Sequence, residues 1–182
     1  MRAEPTPRPE RSGVRVERPG RITATDRMMN RVASILSPER IRLDLSASAK
    51  NQVFDSAGRL FGALEAVEPT RVVTSLLARE NLGSTGLGQG VAIPHARLKG
   101  LRQAVAAYLR VNPAISFDAP DGKPVSELLF LLVPEQATED HLQTLAEAAE
   151  MFNDRRFRDH LRNQFSATSV YQAFVDWPMT AA

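Results

Sequence analysis

Cysteine is missing from all 182 residues, and that absence removes disulfides, thiolate metal sites and thiol nucleophiles together. Long apolar runs are missing too. No stretch approaches the roughly 20 residues needed to span a bilayer. The N-terminus is basic but carries no apolar segment of the kind a secretion signal needs. A cytoplasmic chain without membrane insertion is expected. A large excess of one charge is also lacking: the net charge is +2, although the pI is near 9.4. With three histidines, two tyrosines and no cysteine, little ionises between about pH 7 and 10. The high pI therefore reports a flat titration curve. Residues 1–30 hold seven arginines against four acids, which leaves the rest of the chain at −1. A nucleic-acid-binding body would itself be basic, so no nucleic-acid partner is expected.

What is present fits one domain with a tail, and 43% apolar residues suffice for a sizeable core. Pro5, Pro7, Pro9 and Pro19 lie among the arginines of a segment with no apolar periodicity. Residues 1–28 read as a disordered Arg/Pro-rich extension, or as a misassigned start ahead of Met28 or Met29; the domain is assigned to 29–178. Arg40–Leu45 alternates like a half-buried strand. A helix through about Leu64 follows, with Ser46 or Ser48 as its cap and Val53, Phe54, Ala57, Leu60, Phe61 and Leu64 on one face. Pro69 opens a second helix that bears Val72, Val73, Leu76 and Leu77, and Gly83 closes it. A glycine-rich loop, Gly83–Gly90, leads into the short apolar segment Val91–Ile93. Gln103–Val111 reads as a strand, and Val125–Val133 as a strand buried on both faces. Thr138 is the expected cap of a third helix with Leu142, Leu145, Ala146, Ala149 and Phe152 inward. Shorter helical stretches follow over 154–164 and 168–176. This order predicts an α/β (α+β) fold, a mixed sheet flanked by helices.

The chemistry concentrates in Gly83–Arg97, G-S-T-G-L-G-Q-G-V-A-I-P-H-A-R. Gln89 stands where a P-loop needs lysine, and the glycines are misspaced for a dinucleotide fingerprint. No nucleotide cofactor is implied. What remains is a loop rich in backbone N–H groups, a potential anion-binding concavity, delivering the chain to His95 just past Pro94. Proline cannot donate to a ladder, so the strand should lie at an edge or end there. A neutral imidazole at such a place suits phosphoryl transfer. A hydrogen-bonded turn histidine is the other reading of the spacing alone. Arg79 falls in the last turn of its helix, where a cation suits the dipole. His141 falls in the first turn of the third helix. Ser84 and Thr85 could donate hydroxyl bonds, beside Gly86. His160 is read as part of an amphipathic helix. The three histidines lack metal-ligand spacing, so no metal site is expected.

S-T-G-L-G-Q-G-V-A-I-P-H resembles the phosphohistidine signature of the IIA proteins of the phosphoenolpyruvate-dependent phosphotransferase system, fructose/mannitol class. L-L-A-R-E-N-L-G, F-D-A-P-D-G-K-P-V, L-L-F-L-L-V-P and E-D-H-L-Q-T-L are similar to the same family. The opening M-N-R-V-A-S-I-L-S points to its nitrogen-regulatory members. The resemblance covers roughly Met29 to Trp177. It implies a mannitol/nitrogen-type IIA sandwich, with His95 as phosphoacceptor loaded by a histidine-phosphorylated, HPr-like carrier protein. It also implies Arg79 and His141 as supporting residues, and Ser84, Thr85 and Gly86 as phosphoryl-binding candidates. Regulatory targets such as potassium-transport components or sensor kinases are implied partners. Absence of cysteine implies that no IIB domain of the cysteine type is fused, so a free-standing regulator is expected. Two alternatives stay open: a sugar-specific IIA passing phosphate to a separate IIB protein, and a non-catalytic interaction module.

Overall fold

The computed structural model describes residues 29–136 and 139–177. The N-terminal extension, in either reading, and the expected cap Thr138 lie outside the described residues. Two long strands form the middle of the sheet, β5 (Val105–Ile115) and β6 (Val125–Pro134), paired antiparallel. β1 (Ile41–Leu45) pairs in parallel with β5. Beyond β6 lie β3 (Val91–Ala92) and β4 (His95–Leu98), both parallel to it, and β2 (Gly86–Gly88) pairs antiparallel with β3. The expected mixed sheet is thus six-stranded.

Side chains alternate between two hydrophobic layers. Leu128, Phe130 and Leu132 of β6 pack under α2 (Lys50–Glu65) and α3 (Pro69–Glu80). Leu129 and Leu131 enter the opposite layer, formed by α1 (Arg31–Ile35), α4 (Glu139–Asn153), α5 (Arg155–Arg162) and α6 (Ala167–Val175). This double burial explains why β6 is apolar from Leu128 to Val133. The aromatic residues do much of the filling. Phe54 meets Phe117 and Phe130 edge-on, and Phe157 meets Phe174 at 5.3 Å between ring centres. A Cβ placed on Gly58 would lie 2.5 Å from Val73 Cγ2, so glycine there lets α2 and α3 cross closely.

Several local expectations need correction. Neither Ser46 nor Ser48 caps α2; its N-cap is Ala49, and the Gln52 carboxamide oxygen instead accepts from the Ser48 N–H at 2.8 Å. α3 does begin at Pro69, with the Glu68 carboxylate accepting from the Thr70 and Arg71 N–H groups. Gly83–Gly90 is not all loop, because Gly86–Gly88 is a strand. β4 and α1 are elements the sequence did not reveal. In α4 the buried set is Thr144, Ala148, Met151 and Phe152, whereas Leu142 is 69% exposed and Ala146 also faces solvent. Leu64, expected inside, is exposed at the end of α2.

The break between β3 and β4 sets the position of the histidine. β3 stops before Ile93–Pro94, as a proline without an N–H requires. The Pro94 carbonyl still accepts from Leu131 at 2.9 Å. One register runs through the gap, with Val91 opposite Glu127 and His95 opposite Leu131. β4 pairs with β6 alone, so His95 starts an edge strand, and α3 packs against it.

Candidate functional site

His95 emerges from this break at the sheet edge, and its half-buried ring lines a cavity of about 510 Å³. The cavity is closed by α3 on one side and α4 on the other. Arg79 and Ser75 reach it from α3, Arg97 from β4, and His141 and Thr144 from α4, while Leu142 and Leu145 supply apolar surface. His95, Arg79 and His141, far apart in sequence, therefore share one cavity.

The imidazole is held from both sides. Arg79 Nε donates to His95 Nε2 at 3.1 Å. On the other side, His95 Nδ1 lies 2.9 Å from the Ile93 carbonyl oxygen. A carbonyl can only accept, so Nδ1 bears the hydrogen and Nε2 presents its lone pair. The guanidinium is itself anchored, with Nη1 donating to the Gly83 carbonyl at 3.0 Å. Burial holds the imidazole below its ordinary 6.5. The Ile93 carbonyl pulls the other way, the Arg79 charge adds to the depression, and Glu80 opposes it. The ring is thus a neutral base with a chosen tautomer, beside an immobilised cation.

The glycine-rich segment plays a different part from the one expected. Thr85 gives both its N–H and its hydroxyl to Glu80 Oε2, at 3.0 and 2.6 Å. Ser84 donates to the Phe117 carbonyl at 2.7 Å and accepts from the Gly86 N–H. The Gln89 N–H goes to Asp121 at 2.8 Å. These donors serve the fold, and Ser84, Thr85 and Gly86 are not among the residues that line the cavity. Gly86 is small for packing reasons, since a Cβ there would sit 2.9 Å from that of Ala119.

Three polar cavity residues escaped the sequence reading, Ser75, Arg97 and Thr144. Each lies at a same-face spacing from one that was named: four before Arg79, two after His95, three after His141. That spacing, applied outward from the histidine, would have found them. It also accounts for α4. Leu142 lies at the cavity and Thr144 is buried, so the apolar pattern misleads there. His160 is exposed on α5 and is no part of the cavity. Among the described residues no group of three or more His, Asp or Glu is placed to hold a metal ion. Among them, too, no helix is long and apolar enough to cross a membrane.

Known proteins resemble this chain in sequence and fold. The family model described as phosphoenolpyruvate-dependent sugar phosphotransferase system, EIIA 2, matches residues 34–176. A nitrogen regulatory protein of Pseudomonas aeruginosa is 40% identical over 149 residues, covering 81% of this chain and 97% of its own. The crystal structure of nitrogen regulatory protein IIA-Ntr from Neisseria meningitidis superposes with a TM-score of 0.75 at 43% identity, over 79% of this chain and 98% of that one. The IIA mannitol protein of Escherichia coli shares the fold, with a TM-score of 0.64 at 20% identity over 76% and 97% of the two chains.

Proposed function

Because the chain belongs to the IIA family of the phosphoenolpyruvate-dependent phosphotransferase system, in its nitrogen-regulatory branch, we propose that it is a phosphohistidine carrier whose loading state controls other proteins. The observation that carries this reading is the imidazole held at both nitrogens, with Nε2 unprotonated against Arg79.

In the proposed step, a phosphohistidine on an HPr-like carrier protein presents phosphorus to His95 Nε2. The Nε2–P bond forms as the carrier's N–P bond breaks, and the carrier's ring nitrogen recovers its electron pair. Positive charge that builds on the His95 ring is stabilised through Nδ1–H by the Ile93 carbonyl. Arg79 releases Nε2 and gives the same N–H to a phosphoryl oxygen, a short shift for a forked donor already tethered at Gly83. His141, across the cavity, supplies a further hydrogen bond. Donor and product are both phosphoramidates, so transfer is reversible and needs no nucleotide or metal. The added charge of about −1.5 to −2 alters which partner surfaces dock. Potassium-transport components and sensor kinases are the proposed targets, in the cytoplasm.

The test is incubation with a phosphorylated carrier, read as an acid-labile gain of one phosphoryl group. Loss of the label in a folded His95→Ala variant supports the assignment. Undiminished labelling in that variant rejects it. Onward transfer to a IIB protein would favour the sugar-specific route, and no labelling of the native chain would leave an interaction module.

A further inference from the structure

Glu80 is a buried carboxylate, 7% exposed, adjacent in sequence to Arg79 but turned away from the cavity into the α2–α3 layer. Its partners form a continuous path. Lys50 Nζ donates to Oε1 at 2.9 Å. Oε2 accepts from the N–H and hydroxyl of Thr85 at 3.0 and 2.6 Å. The Thr85 carbonyl accepts from the Ile93 N–H at 3.0 Å. The Ile93 carbonyl then takes the proton side of His95 Nδ1 at 2.9 Å. Burying a carboxylate is costly unless every lone pair is used, and here the use runs directly to the reactive ring.

We propose that Glu80 is the positioning residue of this site, fixing the His95 tautomer through Thr85 and the backbone of Ile93. Ile93 is 4% exposed, and the following proline keeps it extended. Its N–H is pinned by Thr85, so its carbonyl is left aimed at Nδ1. The coupling is positional: Glu80 holds Thr85 by its N–H and hydroxyl, Thr85 holds the N–H of Ile93, and the Ile93 carbonyl is thereby fixed against the ring. Lys50 keeps that anion compensated. It also reaches Asp118 at 3.1 Å and lies over the Phe117 ring, which holds the start of α2 to the same anchor. The role rests on His95 being the phosphoacceptor.

Two readouts test it, the ¹⁵N shifts of the His95 ring and the kcat and KM of transfer from a phosphorylated carrier. Glu80→Ala is expected to convert a ring protonated at Nδ1 into a mixture of tautomers. It is also expected to lower kcat about tenfold, short of the roughly 100-fold that a 1 Å misplacement can cost, with KM for the carrier unchanged. Glu80→Gln keeps an acceptor for Thr85 and is expected to restore both. If Glu80→Ala does not fold, the Lys50→Met, Glu80→Met double variant removes the pair without orphaning a charge, and the same mixture is expected. A folded variant with the native ring spectrum, whatever its rate, overturns the assignment. The ring spectrum needs no carrier. A native chain that takes no phosphoryl group while its tautomer still answers to Glu80 would therefore sink the carrier reading alone.

Discussion

Replacing Arg79 with alanine removes the group that both caps His95 Nε2 and stands ready for the phosphoryl oxygens. Its Nε lies 3.1 Å from the ring and its Nη1 is tied to Gly83. Part of the side chain is open to solvent, which screens its charge. What it contributes is one charge-assisted hydrogen bond in the transition state, about 1.5–3 kcal/mol. At about 1.4 kcal/mol per decade this is a transfer rate lower by about 10- to 150-fold. The second signature is titration: with the cation gone, the His95 pKa should rise towards its ordinary value, because the guanidinium contributes to its depression. Lysine can replace the charge but not the fork, so Arg79→Lys should recover the pKa more fully than the rate. Rapid-quench transfer from a labelled carrier, with an NMR titration of the ring, measures both. A rate within threefold of native in Arg79→Ala, with an unmoved pKa, would refute the placement of Arg79 at the reacting atoms.

Four further outcomes are expected. Since burial lowers the pKa of His95 below 6.5, transfer should stay flat from neutral pH down to that value and decline only beneath it as the ring protonates. The same shift contributes stability that is fully present above 6.5 and is lost as pH falls through the lower folded value, which a pH series of urea melts detects. In the opposite layer, fully buried Glu127 accepts from Tyr108 at 2.9 Å and from Arg162 at 2.7 Å. Glu127→Ala removes the carboxylate acceptor of the buried Tyr108 hydroxyl and leaves part-exposed Arg162 its bond to the Gln89 carbonyl, so it should cost about 1–3 kcal/mol, a fall of about 2–12 °C in thermal midpoint, with phosphotransfer retained below it. Gly58→Ala should destabilise by about 1–3 kcal/mol despite alanine's better helix propensity, because Val73 and the Pro69 carbonyl block the new Cβ.

How far the sequence was legible depends on where each residue's partners lie. β6 announced itself because both of its neighbours are apolar layers, and past Ser126 and Glu127 the run Leu128–Val133 is wholly apolar. Pro69 announced α3, since the signal is local to the helix start. The placement of His95 past a proline also needed only adjacent residues. The fate of Ser84 and Thr85 did not, because their hydroxyls are claimed by the Phe117 carbonyl and by a glutamate turned inward from α3. A loop that is rich in donors can be poor in free ones. Leu142 and Thr144 mislead for a different reason, as a helix that borders a cavity can expose a leucine and bury a threonine. The edge strand β4 is only four residues long and holds a histidine and an arginine, a composition that alternation alone does not mark as strand.

Arg79 and Glu80 are consecutive, yet one lines the cavity and the other is sealed among Lys50 and Thr85. An α-helix turns by about 100° per residue, so a single insertion or deletion between Pro69 and Glu80 would swing the guanidinium off the imidazole and bring another side chain into its place. The residue count along α3 thus sets the cavity-facing cation and the buried carboxylate together.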